Sequence, residues 1–133
     1  MVRHHHLRNL WLILALVAGP AAAEAPHGDP AAGLRIAIDS ERGNCAICHR
    51  LPVSRVPAFG DVGPPLDGIG ARMSVDELRQ RIADPHRLNP DTIMPAYRRT
   101  DGLTRVMTKY RGRPILSAEE LEDVVAYLAT LKD

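Results

Sequence analysis

The sequence predicts an all-α fold whose helices are joined by long connections, and three observations carry that prediction. Apolar residues recur at helical spacing in several separate segments, whereas no stretch alternates convincingly as a half-buried strand would. Two segments open with Ser-x-x-Glu, a reciprocal pairing of side chain and backbone that starts helices. Between the helical segments run proline-rich stretches, 51–70 and 85–99, and connections of that length in a small domain usually carry function.

Residues 1–23 read as an export signal. Arg3 and Arg8 precede the apolar run from Leu10 to Ala18, followed by Gly19-Pro20 and the small residues Ala21-Ala22-Ala23. The competing reading is an uncleaved anchor, but the run falls well short of the roughly 20 residues that span a bilayer. Cleavage after Ala23 leaves a single domain over 24–133, exported from the cytoplasm and without stable membrane insertion, and places His4, His5 and His6 in the discarded leader. The first helix begins at Asp29-Pro30, a capping residue followed by proline at the first helical position, runs through Leu34 and Ile38, and should end near Gly43. Ser74 and Glu77 form a capping box for a helix with Val75, Leu78 and Ile82 on one face, stopped by Pro85. Leu103, Val106, Met107 and Tyr110 predict a short amphipathic helix. Ser117 and Glu120 cap the last helix, whose stripe is Leu121, Val124, Val125, Leu128 and Leu131.

The 133 residues hold 17 Lys and Arg against 16 Asp and Glu, a balance that disfavours a nucleic-acid binder; losing Arg3 and Arg8 tips it slightly acidic. Aromatic residues are only 4% of the chain, and with Trp11 in the leader only Phe59, Tyr97, Tyr110 and Tyr127 remain to fill a core. A small domain so poorly supplied needs a staple. The 2 cysteines, Cys45 and Cys48, close too short a loop to provide one as a disulfide.

Cys45-Ala46-Ile47-Cys48-His49 is a CxxCH sequence, the attachment motif of a c-type haem. Residues three apart share a helix face, so both cysteines can form thioethers to one haem edge while His49 turns to the iron. A thioredoxin-type redox pair would expect a βαβ setting, and a zinc site two further ligands at close spacing; neither is present in the sequence. One covalent haem c then supplies the missing staple. Candidates for the sixth iron position are Met73, Met94, Met107, His27 and His86. Met73 precedes the Ser74 cap and reads as a hydrophobic staple to Leu78. Met107 lies on the stripe of its predicted helix, and His86 reads as a loop histidine. Met94, in Asn89-Pro90-Asp91-Thr92-Ile93-Met94-Pro95, sits in a proline-stiffened connection from which a thioether can reach a metal. A His and Met pair raises the haem potential and suits electron transfer.

Gly63-Pro64-Pro65-Leu66 with Gly68 and Gly70, the Met94-Pro95 loop and the final helix resemble the class I c-type cytochromes. The resemblance implies that the Pro64 carbonyl accepts a hydrogen bond from the far ring nitrogen of His49, and that the first and last helices cross where Gly33 approaches Tyr127. A narrower resemblance spans 43–132. Gly43-Asn44 with the CxxCH, Asp84-Pro85 through Met94-Pro95, Tyr110-Arg111-Gly112-Arg113-Pro114-Ile115-Leu116-Ser117-Ala118, and Glu122 to Leu128 look like the SoxX family, the monohaem subunit of the periplasmic sulfur-oxidation cytochrome pair. The segment 51–59 and the residues before Asp39 match it less well.

That resemblance implies a heterodimer with a SoxA-type cytochrome, which joins thiosulfate oxidatively to a cysteine of a SoxYZ-type carrier and releases two electrons toward a downstream cytochrome. The chain would then be the electron-transfer subunit of an L-cysteine S-thiosulfotransferase, with the reactive cysteine on the partner and no catalytic residue of its own. Its own two cysteines are both committed to the haem, which agrees. The alternatives are a free-standing periplasmic carrier to a respiratory oxidase, and a haem-based sensor, which requires that Met94 not bind. The run Arg98, Arg99, Arg105, Lys109, Arg111 and Arg113, opposed in the last helix by Glu119, Glu120, Glu122 and Asp123, reads either as ordinary solvated charge or as a docking surface for an acidic partner.

Overall fold

Among the described residues, the helices longer than a single turn begin where short polar side chains take up the N–H groups that a first turn leaves free. In the computed structural model, which describes residues 27–133, Asp29 caps α1 (Pro30–Ile38) by accepting from the Ala31 amide at 2.8 Å. A single turn, α2 (Ile69–Arg72), precedes α3 (Val75–Ala83), and Ser74 and Glu77 form both halves of the predicted capping box. Ser117 and Glu120 do the same for α4 (Ala118–Thr130). Among the described residues there is no strand, so the all-α prediction holds; the predicted export signal lies outside them.

The core is organised on α4, against which α1, α2 and α3 all pack. Val124 and Val125 are essentially inaccessible, and Leu121, Tyr127 and Leu128 complete its inner face. Gly33 sits at the α1–α4 crossing, where a Cβ would collide with the backbone of Asp123 and reach 2.8 Å from the Tyr127 Cβ. The two helices can approach this closely only because residue 33 has no side chain. The crossing is reinforced by the Asp29 amide, which donates to Asp123 Oδ1 at 2.8 Å. Between α3 and α4, Arg79 grips both oxygens of Glu122, at 2.7 and 3.0 Å.

Two expectations are corrected. The first helix stops at Ile38, ahead of the Gly43 region, because Asp39 turns to extended backbone and the chain folds into a tight turn; Arg42 and Asn44 both donate to the Asp39 carbonyl and Gly43 donates to that of Ile36. The helix predicted from Leu103 to Tyr110 does not form. Only a 3₁₀ turn, Thr108–Tyr110, is present, with no side-chain cap, and Gly102 and Arg105 have φ of +63° and +58°, outside the helical region. Met107 is consequently 63% exposed instead of lying on a core stripe. Tyr110 and Lys109 find their partners far away, at the Glu41 carbonyl (3.0 Å) and carboxylate (2.9 Å).

Candidate functional site

The CxxCH stretch opens with Asn44 in the left-handed region at φ 48°, after which Cys45–Ile47 winds as a 3₁₀ turn. Cys48 and His49 both donate to the Cys45 carbonyl, at 3.2 and 2.9 Å. A 3₁₀ turn has three residues per repeat, so positions 45 and 48 eclipse more fully than on an α-helix, which suits two thiols serving one flat group. The cysteines are not joined to each other. Burial, more than the proximity of Cys48, pushes the Cys45 thiol up to about 11 against an opposing backbone hydrogen bond. A thiol so far from ionising at neutral pH is a poor redox nucleophile.

The proline-rich connection folds back along this turn. Gly60 donates to the Ala46 carbonyl at 3.0 Å, Gly63 to that of Cys48 at 2.8 Å and Leu66 to that of Arg50 at 2.9 Å. Gly63 thereby lies so close to the His49 ring that a Cβ would overlap the imidazole. The Pro64 carbonyl is brought to 2.7 Å from His49 Nδ1. A carbonyl can only accept, so the proton must reside on Nδ1, and Nε2 presents its lone pair outward as a metal ligand requires. Two free thiols on one edge and an imidazole fixed in the metal-binding tautomer fit the donor set of a covalent haem.

The candidate for the sixth iron position, Met94, lies in the second proline-rich connection. Asn89 accepts from the Asp91 amide at 3.1 Å and Thr92 Oγ1 from the Met94 amide at 3.2 Å, so side chains shape this loop locally. Met94 is half-buried and packs against the core cluster. The other sulfur candidates are placed differently. Met73 packs against the cluster containing Leu78, in keeping with a staple, and Met107 is an exposed surface residue. Met107 therefore does not take the place on a core stripe that its spacing predicts. His86 Nδ1 faces Asp84 at 3.7 Å, with Arg99 on the same carboxylate at 3.4 Å, and His27 is exposed ahead of α1.

Tyr97 reads in the sequence only as core filling. It is buried, and its hydroxyl donates to the Gly43 carbonyl at 2.6 Å, linking the Met94 connection to the turn that leads into Cys45. Burial first, and then the nearby thiols, push its phenol above the ordinary range, so it stays protonated. A tyrosine three residues after Met94 was the available signal. The basic run is also not a uniform surface: Arg98 donates to the Leu116 carbonyl at 2.8 Å, Arg99 pairs with Asp84, Arg113 donates to the Lys109 carbonyl and Lys109 pairs with Glu41. Exposed Arg105 and Arg111 make no ion pair among the described residues. On the acidic side, Glu122 holds Arg79 and Glu120 pairs with Arg42.

A turn presenting two thiols and an oriented imidazole, wrapped by helices and long loops, defines a c-type cytochrome, and the chain belongs to the cytochrome c family, whose model matches residues 18–132. It is similar to a chain in the crystal structure of SoxXA from P. pantotrophus, at 37% identity and a TM-score of 0.74, covering 85% of this chain and 89% of that one. The c-type cytochrome SorU from Sinorhizobium meliloti aligns at 26% identity and a TM-score of 0.49, over 77% of this chain and 90% of that one. No curated protein matches the chain. The protein is an electron-transfer cytochrome with one covalently bound haem c, and its resemblance to the SoxX family agrees with the SoxXA match. Among the described residues no helix is long and apolar enough to cross a membrane.

Proposed function

We propose that this chain is the haem-bearing subunit of a thiosulfate-oxidising SoxXA-type complex, acting in the periplasm after removal of residues 1–23. The observation that carries this is the 37% identity to the SoxXA chain, sustained over 85% of this chain together with the fold. Cys45 and Cys48 would hold the haem through thioethers, and His49 and Met94 would be the protein ligands of its iron. The Pro64 carbonyl fixes the orientation of the His49 ring through the Nδ1 hydrogen bond. When bound, the haem supplies a reversible one-electron iron couple.

In this reading the SoxA-type partner carries the reactive cysteine, and a SoxYZ-type carrier receives thiosulfate on its own cysteine. Each conjugation releases two electrons, which a downstream cytochrome would finally receive. With both cysteines held by the haem, no nucleophile remains in this chain for the conjugation itself.

The test is purification from the native host, followed by reconstitution. A second cytochrome should co-elute, and the isolated chain should show no thiosulfate-conjugating activity until a SoxA-type partner is added. Elution as a lone chain that reduces an oxidase directly would favour a free-standing carrier instead. Conjugation by the chain alone would contradict the subunit reading.

A further inference from the structure

Tyr97 is tied by its own hydrogen bonds to three separate parts of the fold. Its amide donates to the Ile82 carbonyl at 3.2 Å, on the last turn of α3. Its carbonyl accepts from both Ile115 and Leu116, at 3.0 and 3.1 Å, just before the Ser117 cap of α4. Its hydroxyl crosses to the Gly43 carbonyl at 2.6 Å. Gly43 is in turn pinned by its own amide to Ile36 of α1, at 3.1 Å, and lies two residues before Cys45. The backbone bonds attach residue 97 to the α3 and α4 side of the molecule, and the phenol alone reaches the side that carries the thiols and His49.

A phenylalanine would fill the same space without needing a partner. Burying a hydroxyl is unfavourable unless it is hydrogen-bonded, so a tyrosine here is useful only for what its oxygen holds. What it holds is the backbone immediately ahead of the CxxCH turn, and what it holds it to is the chain three residues beyond Met94.

We propose that Tyr97 is a positioning residue for the distal ligand: its hydroxyl bond to the Gly43 carbonyl keeps the Met94 loop in register with the Cys45–His49 turn and so keeps the Met94 thioether on the iron. This rests on Met94 being that ligand. Met94 and its supporting bond lie on opposite ends of a short, proline-stiffened segment, Met94-Pro95-Ala96-Tyr97, so a shift at residue 97 is passed to residue 94 with little slack.

The experiment is imidazole titration of the ferric, haem-loaded protein, followed through the thioether-to-iron charge-transfer band, for the unaltered chain, Tyr97→Phe, Ala31→Gly and Met94→Ala. Met94→Ala should lack the band from the outset; if it retains the band, Met94 is not the ligand, and the basis of the proposal fails with it. With Met94 established, Tyr97→Phe should retain the band but lose it at about tenfold lower imidazole, the scale of one buried hydrogen bond. Ala31→Gly, an exposed change at the opposite end of α1 from Ile36 that weakens the fold without moving α1 against α4, should titrate like the unaltered chain. An unchanged midpoint in Tyr97→Phe, or an equal shift in Ala31→Gly, would overturn the positioning role. Should Tyr97→Phe not accumulate, the unaltered protein suffices: its Tyr97 hydroxyl proton should be slow to exchange in NMR spectra and lose protection as imidazole displaces Met94. Protection that persists after displacement would equally overturn the proposal.

Discussion

Replacing Gly33 by alanine should destabilise the protein, although the same change in most helices does the opposite. Within α1, alanine is favoured over glycine by about 1 kcal/mol of helix propensity, so an isolated view of the helix predicts a gain. The added Cβ, however, falls on the Asp123 main chain and within 2.8 Å of the Tyr127 Cβ. Backbone cannot rotate away as a flexible side chain can, so α1 and α4 must separate and loosen the buried contacts of Ile36, Val124 and Tyr127. Overpacking of this kind costs about 3 kcal/mol at the upper end of its usual range. Offset by propensity, the net loss is about 2 kcal/mol, roughly a 30-fold shift in the unfolding equilibrium. Urea unfolding of the haem-loaded protein, followed by far-ultraviolet circular dichroism, measures it. Ala31→Gly, at an exposed position of the same helix, provides the comparison and should cost about 1 kcal/mol by propensity. If Gly33→Ala proves neutral or stabilising, the close-crossing argument is wrong.

Three further outcomes are expected. Met94→Ala should abolish the thioether-to-ferric charge-transfer band and lower the reduction potential, whereas Met73→Ala and Met107→Ala should leave the band intact; its loss in Met107→Ala would move the ligand to the exposed loop. Glu77 is held below its ordinary value of 4.5 chiefly by the backbone amide of Ser74, with the Ser74 hydroxyl assisting. A carboxyl lowered on folding stabilises above its unfolded value and loses that contribution as pH falls through the folded one, so Glu77→Gln should reduce the melting temperature at pH 7 and flatten its decline below pH 4.5. Arg98→Glu should lower stability by about 1.5–3 kcal/mol through loss of its charged hydrogen bond to the Leu116 carbonyl, while reversal of exposed Arg105 and Arg111 should leave stability unchanged and test partner docking through the salt dependence of electron exchange.

Whatever depends on neighbours in the chain could be read from the sequence, and whatever depends on a remote partner could not. Ser74 and Ser117 reach only three residues ahead, which is why both capping boxes were legible. CxxCH was legible because its chemistry is confined to five residues. The 103–110 segment had the right apolar spacing, but nothing in that spacing reveals a left-handed Arg105 or Tyr110 and Lys109 turning to Glu41, nearly seventy residues away. Arg98 and Arg99 looked like surface charge because their partners, Leu116 and Asp84, lie outside the local pattern. Tyr97 looked like core filling for the same reason: the ring is visible in the sequence, but the carbonyl of Gly43 that its oxygen meets is not. The His49–Pro64 bond was also long-range, and it was accessible only through the family resemblance.

The backbone bonds from Gly60, Gly63 and Leu66 to Ala46, Cys48 and Arg50 divide the 51–70 connection into parts with different freedom to change. From Gly60 onward, one inserted or deleted residue would slide the Pro64 carbonyl off the His49 ring and expose a different atom to the imidazole. Between Leu51, whose buried side chain anchors the start, and Gly60, a loop of different length can bulge outward with only a small, logarithmic entropic effect. Inserted peptides, affinity tags or surface labels should therefore be accepted around Ser54 and Arg55, both exposed, without disturbing the histidine's alignment. That tip offers a practical attachment point for tethering the cytochrome to an electrode.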